Sequence, residues 1–182
     1  MRSLFLASAI VSLIAGCTRE PPREVPISAS EIPASFAYGK VGPGAARYRQ
    51  ATDPASGADI RHMVLTSTDE IAVVAVVSLS SQYAFTPTAF RRRLSGMLPS
   101  DQTAEWQQSF QTSGMHPTKI ATFALPNLPA QCVGMERGLR NHPEAATSTY
   151  SQSIAVGYYC RPGEPFSADE AYAVAAALKT AG

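Results

Sequence analysis

The sequence predicts an α+β fold: one domain, a mainly antiparallel sheet with about three helices packed on one of its faces. Three observations point there. The hydrophobic periodicity runs in the order strands, two helices, strands, helix. The links between neighbouring strands are short enough for hairpins. Residues 71–77 read IAVVAVV, with no polar face, so they belong at the centre of a sheet that is covered on both sides.

The elements follow in order. Residues 45–51 read as a first strand. Residues 59–66 and 71–80 are the next two, joined by the polar turn Ser67-Thr68-Asp69-Glu70. Thr86 then caps a helix and Pro87 suits its first position. Phe90, Leu94, Met97 and Leu98 fall on one stripe of that helix, and Pro99 ends it. Ser100 caps a second helix, with Asp101 in its first turn, Trp106 and Phe110 four residues apart, and Gly114 as the stop. Residues 119–125, 131–137 and 148–160 read as three strands. The last two are joined through Asn141, His142 and Pro143, which favour a turn. Within the final strand Tyr158 and Tyr159 alternate sides, which places one in the core and leaves the other more exposed. Ser167 with Glu170 makes a capping box, opening a third helix lined by Ala171, Val174, Ala175 and Leu178.

Ahead of this domain stands a different kind of segment. Met1-Arg2-Ser3 carries one positive charge, residues 4–14 are apolar apart from Ser8 and Ser12, and Ala15, Gly16 and Cys17 follow. As a helix, residues 4–16 span about 20 Å, short of the ~30 Å of a hydrocarbon core. This is the make-up of a cleavable signal peptide. Leu13-Ile14-Ala15-Gly16-Cys17 resembles the lipobox of bacterial lipoproteins. The resemblance implies diacylglyceryl transfer to the Cys17 sulfur, cleavage before Cys17, and acylation of the new amino group. Thr18, where an aspartate would retain the protein in the inner membrane, implies sorting to the outer membrane. The resemblance covers residues 1–17 only; the alternative is an ordinary signal peptide with Cys17 as a thiol. Residues 18–35 hold Pro21, Pro22, Pro26 and Pro33, four of the chain's 14 prolines. At about 3 Å per residue, such an extended spacer reaches some 50 Å. The expected organisation is therefore a signal peptide at 1–16, a lipidated N-terminus and proline-rich tether at 17–35, and a globular domain at 36–182.

Composition narrows the function. With Arg2 removed alongside the leader, 14 of the 15 Lys+Arg face 14 Asp+Glu, so the mature chain has no formal net charge to gather nucleic acid. Beyond Cys17 two cysteines remain, Cys132 and Cys160. In an oxidising compartment an even pair reads as a disulfide. It would close a loop of roughly 29 residues, stabilising by about 3.5 kcal/mol in the chain-entropy model. Two buried free thiols are the alternative.

No catalytic, metal or cofactor motif stands out. His62, His116 and His142 lack zinc-site spacing, and Gly39, Gly42 and Gly44 form neither a Walker A loop nor GxGxxG. No serine sits in a GxSxG elbow. The conspicuous charged cluster is Arg91-Arg92-Arg93, which fans over about 200° of a helix. Arg93 would lean over apolar surface with its head in water. The cluster is a solvated face or a contact for an anion or partner. The leading expectation is a lipid-anchored, non-enzymatic binding or accessory component of the cell envelope, facing the periplasm. It would hold the membrane through the lipid on Cys17 and engage an envelope protein. Alternatives are an envelope hydrolase using scattered groups such as Glu136, His62 or His116, and a carrier of a small apolar ligand.

Overall fold

A computed structural model describes residues 24–42, 46–53, 57–79, 85, 89–113, 117–141 and 151–180. Its strands are β1 (Val25–Pro26), β2 (Ala34–Phe36), β3 (Ala46–Thr52), β4 (Asp59–Thr66), β5 (Ile71–Ser78), β6 (Glu105–Gln111), β7 (Lys119–Leu125), β8 (Ala130–Asn141), β9 (Ser151–Pro162) and β10 (Leu178–Thr180). Two α-helices lie among the described residues, α1 (Phe90–Met97) and α2 (Ala168–Ala176). Eight strands make one antiparallel sheet in the order β1-β3-β4-β5-β9-β8-β7-β6, and β2 pairs with β10 in a separate small ribbon.

The all-apolar run is central, as its lack of a polar face demands. β5 lies between β4 and β9, and its side chains alternate between two cores. Val73, Ala75 and Val77 join Phe90, Leu94 and Met97 of α1. Ala72, Val74 and Val76 join Ala171, Val174 and Ala175 of α2. The helices therefore sit on opposite faces, not on one face as the periodicity suggested. A strand that is apolar on both sides needs two covers. The same geometry buries both Tyr158 and Tyr159 on β9, so neither is the exposed partner of the pair.

Three further expectations are corrected. The second helix is the strand β6. Trp106 and Phe110, four apart, suit a helical stripe, but β6 carries a one-residue bulge between Trp106 and Ser109. The bulge sends the two rings to opposite faces. Trp106 meets Phe123 on the α1 face with centroids 5.0 Å apart, and Phe110 meets Tyr172 of α2 at 5.6 Å. The second correction concerns the tether, part of which is fold. Val25–Pro26 pairs with the edge of β3, Ile32 and Phe36 are buried, and Ser28 and Glu31 form a capping box around a short 3-10 turn. Prolines there fit because an edge strand needs fewer N–H donors. Finally, β8 runs 12 residues, Ala130–Asn141, where the pattern marks only 131–137, and β9 extends to Pro162, two residues past the expected end at 160. Thr86, Pro87, Gly114, His142 and Pro143 lie outside the described residues.

α2 begins as its capping box requires: Ser167 Oγ accepts from the Glu170 amide at 3.2 Å, and the Glu170 carboxylate accepts from the Ser167 amide at 2.9 Å. Those bonds hold the Glu170 carboxyl below its usual pKa. No described helix is long and apolar enough to cross a membrane.

Candidate functional site

The chemistry-bearing residues gather on the α1 face. Strand alternation places Cys132, Gly134 and Glu136 of β8 together on that face. Each meets a different partner. Cys132 stands directly across from Cys160 of β9, and their sulfur atoms are bonded at 2.07 Å. At Gly134 a side chain would collide with Cδ1 of Leu94, so the missing Cβ is what lets α1 lie close to the sheet. This close approach brings Arg93 over Glu136. Arg93 Nε and Nη2 donate to the two carboxylate oxygens at 2.6 and 2.7 Å, and Lys119 Nζ, opposite on β7, donates at 3.2 Å. Glu136 is 4% exposed. The Arg93 head is thus held in a buried, bidentate ion pair and lies 5.6 Å from the Phe85 ring centre, rather than resting in water.

His62 shares this face but does not meet Glu136. It stands opposite Ala75, Ala75 opposite Val156, and Val156 opposite Glu136, so two strands lie between them. His62 is buried. Its Nε2 is 3.8 Å from Glu24, and its Nδ1 has no hydrogen-bond partner among the described residues. Burial pushes its pKa below the ordinary value; Glu24 opposes that shift and Arg49 adds to it. His116 lies outside the described residues, as does Cys17. Among the described residues no cluster of His, Cys, Asp and Glu is arranged to hold a metal ion.

The other two arginines point elsewhere. Arg91 donates to Ser109 Oγ on β6 at 2.7 Å, and its guanidinium carbon lies 5.3 Å from the Trp106 ring centre. Arg92 is exposed. Arg91 and the half-buried Trp106 thus form one surface, beside a strand that ends the sheet. At the far end of α1 a second feature opens: an apolar cleft of about 140 Å³ beside Cys160, between the β4–β5 and β7–β8 turns.

Sequence reasoning found the cysteine pair and the arginine run, but missed the cleft and the Arg93–Glu136 pair. A signal for the pair existed. Glu136 shares a strand face with Cys132 and Gly134, and an acid on an apolar face calls for a buried cation. By fold and site the chain is a two-faced antiparallel α+β protein with a polar cluster under one helix. Comparison with known proteins finds no matching family model, no matching curated protein and no matching solved structure.

Proposed function

We propose that this is a lipid-anchored component of the bacterial cell envelope that binds a partner rather than transforming a substrate. The anchor is the acylated Cys17, the membrane is the outer one, and the domain faces the periplasm. The observation that carries the reading is the Arg91–Trp106 stack on the flank of α1 and β6, with the next residue of the helix, Arg92, exposed. Arg and Trp are the side chains that most often dominate protein interfaces. Among the described residues neither Arg91 nor Arg92 has a carboxylate ion-pair partner. Their charge complements an acidic stretch on an envelope protein, and we take that as the partner's chemistry. The hydrolase alternative gains no support here. Both oxygens of Glu136 are already engaged, and two strands separate it from His62.

In-cell crosslinking followed by affinity purification tests the reading. Wild type should recover a defined envelope protein, and Arg91→Glu with Arg92→Glu should lose it at unchanged expression. Equal recovery by both proteins removes this surface from the proposal. Recovery of no partner, under conditions that capture a known envelope complex, removes the accessory role. The anchor has its own test: Cys17→Ala should move the protein from the membrane fraction to the soluble one, and a mutant that still pellets with membranes overturns it.

A further inference from the structure

The cleft at the C-terminal end of α1 belongs to neither the arginine surface nor the ion pair. Ile71, Leu125, Leu128 and Ala130 supply its apolar walls, and the Tyr158 ring and Cys160 sit against it. Its volume is about 140 Å³. An apolar cavity of roughly 150 Å³ in another protein stays dry and takes benzene, so the space here suits one six-membered ring. The charged residues at the rim, Asp69 and Arg161, are engaged outside it. Asp69 pairs with Lys40 at 2.7 Å; Arg161 pairs with Glu170 at 2.9 Å and stacks on Phe166 at 4.3 Å. Burial keeps the Tyr158 phenol neutral by raising its pKa. No uncompensated charge therefore asks for a counter-charge in a ligand.

Two features favour an aromatic ring over an aliphatic one. Divalent sulfur makes favourable contacts at the edge of an aromatic ring, and Tyr158 offers a ring to pack against in offset or edge-to-face geometry. The walls are also pre-formed. Ile71, Leu125 and Ala130 stand on strands of the main sheet, and the disulfide Cys132–Cys160 ties β8 to β9 beside them, so little ordering is needed on binding. We propose that this cleft is a binding site for a small, neutral, single-ring aromatic molecule.

The experiment uses the full mature chain with Cys17→Ser, which keeps every residue of the described fold and removes the need for detergent. Methyl shifts are followed by NMR while benzene is added, and then cyclohexane as the aliphatic match in size. Benzene should move the methyls of Ile71, Leu125 and Leu128 saturably and leave Val74 and Val174, on the opposite face, in place. Ala130→Phe fills the cleft and should abolish the shifts while the circular dichroism stays native. Should that variant fail to fold, Leu128→Trp, placed on the β7–β8 turn, makes the same test. Three results would overturn the proposal: no saturation up to the solubility limit of benzene, undiminished shifts in a folded filled variant, or cyclohexane binding as tightly as benzene.

Discussion

Under α2 the sheet presents aromatic and aliphatic side chains, with Tyr159 at the middle of a ring cluster. Tyr38, Phe166 and Phe36 surround it at centroid distances of 5.2, 6.0 and 6.1 Å. Under α1 the same strands present a buried ion pair, a disulfide, an imidazole nitrogen unpartnered among the described residues and an open cleft. The difference teaches where each core gets its tolerance. Apolar contacts are non-directional, so losing one leaves the others intact. A buried ion pair is stable only when complete, because each charge left alone keeps its full desolvation penalty. The α1 face should therefore respond to single changes more steeply than the α2 face.

The largest effect is expected at Glu136. Glu136→Ala leaves Arg93 buried without its bidentate acceptor and should cost about 3–5 kcal/mol of unfolding free energy. Glu136→Met combined with Arg93→Met removes both charges and should cost much less. Urea titrations of both variants measure this, and a double variant as unstable as the single one would show that charge isolation is not the cause.

The disulfide comes next. Replacing Cys132 and Cys160 together by alanine should destabilise by about 3.5 kcal/mol through loop entropy in the unfolded chain. Thiol alkylation of the unfolded, non-reduced wild type should label neither cysteine; two labelled thiols would mean that the bond does not form in the cell.

On the opposite face Ser167→Ala removes a helix cap and should cost about 1 kcal/mol. Thermal melts can compare it with Glu136→Ala. If the cap loss proves the larger, the contrast between the two faces is wrong.

The smallest effect is a pH slope from His62. Its folded pKa lies below the ordinary 6.5 because it is buried, so the unfolded chain binds the proton more readily. The stability tied to neutral His62 is complete well above pH 6.5 and falls as the pH drops through that value. His62→Gln should flatten the dependence of the urea midpoint between about pH 7.5 and pH 5.5. An unchanged slope would assign it to other groups.

Much of this fold was legible because local patterns suffice for it. The strands at 59–66 and 119–125, the α2 capping box and the central place of residues 71–77 each follow from periodicity or from a side chain bonding its own backbone. β6 was not legible. Four-residue spacing between Trp106 and Phe110 is shared by a helical stripe and a bulged strand, and only the pairing with β7 separates them. Residues 24–35 were misread for a related reason: proline density signals extended backbone, and an edge strand is also extended.

By itself the sequence determined the cysteine pairing by count and an antiparallel sheet with a fully apolar centre. These rest on short-range chemistry that a linear reading contains. Tertiary structure alone decided that the helices flank the sheet on opposite sides, that Arg93 turns inward while Arg91 stacks on Trp106, and that a ring-sized cleft opens beside the disulfide. Each depends on residues far apart in the chain, such as Arg93 and Glu136, 43 positions apart, and on a missing Cβ at Gly134 that lets a helix settle close enough to join them.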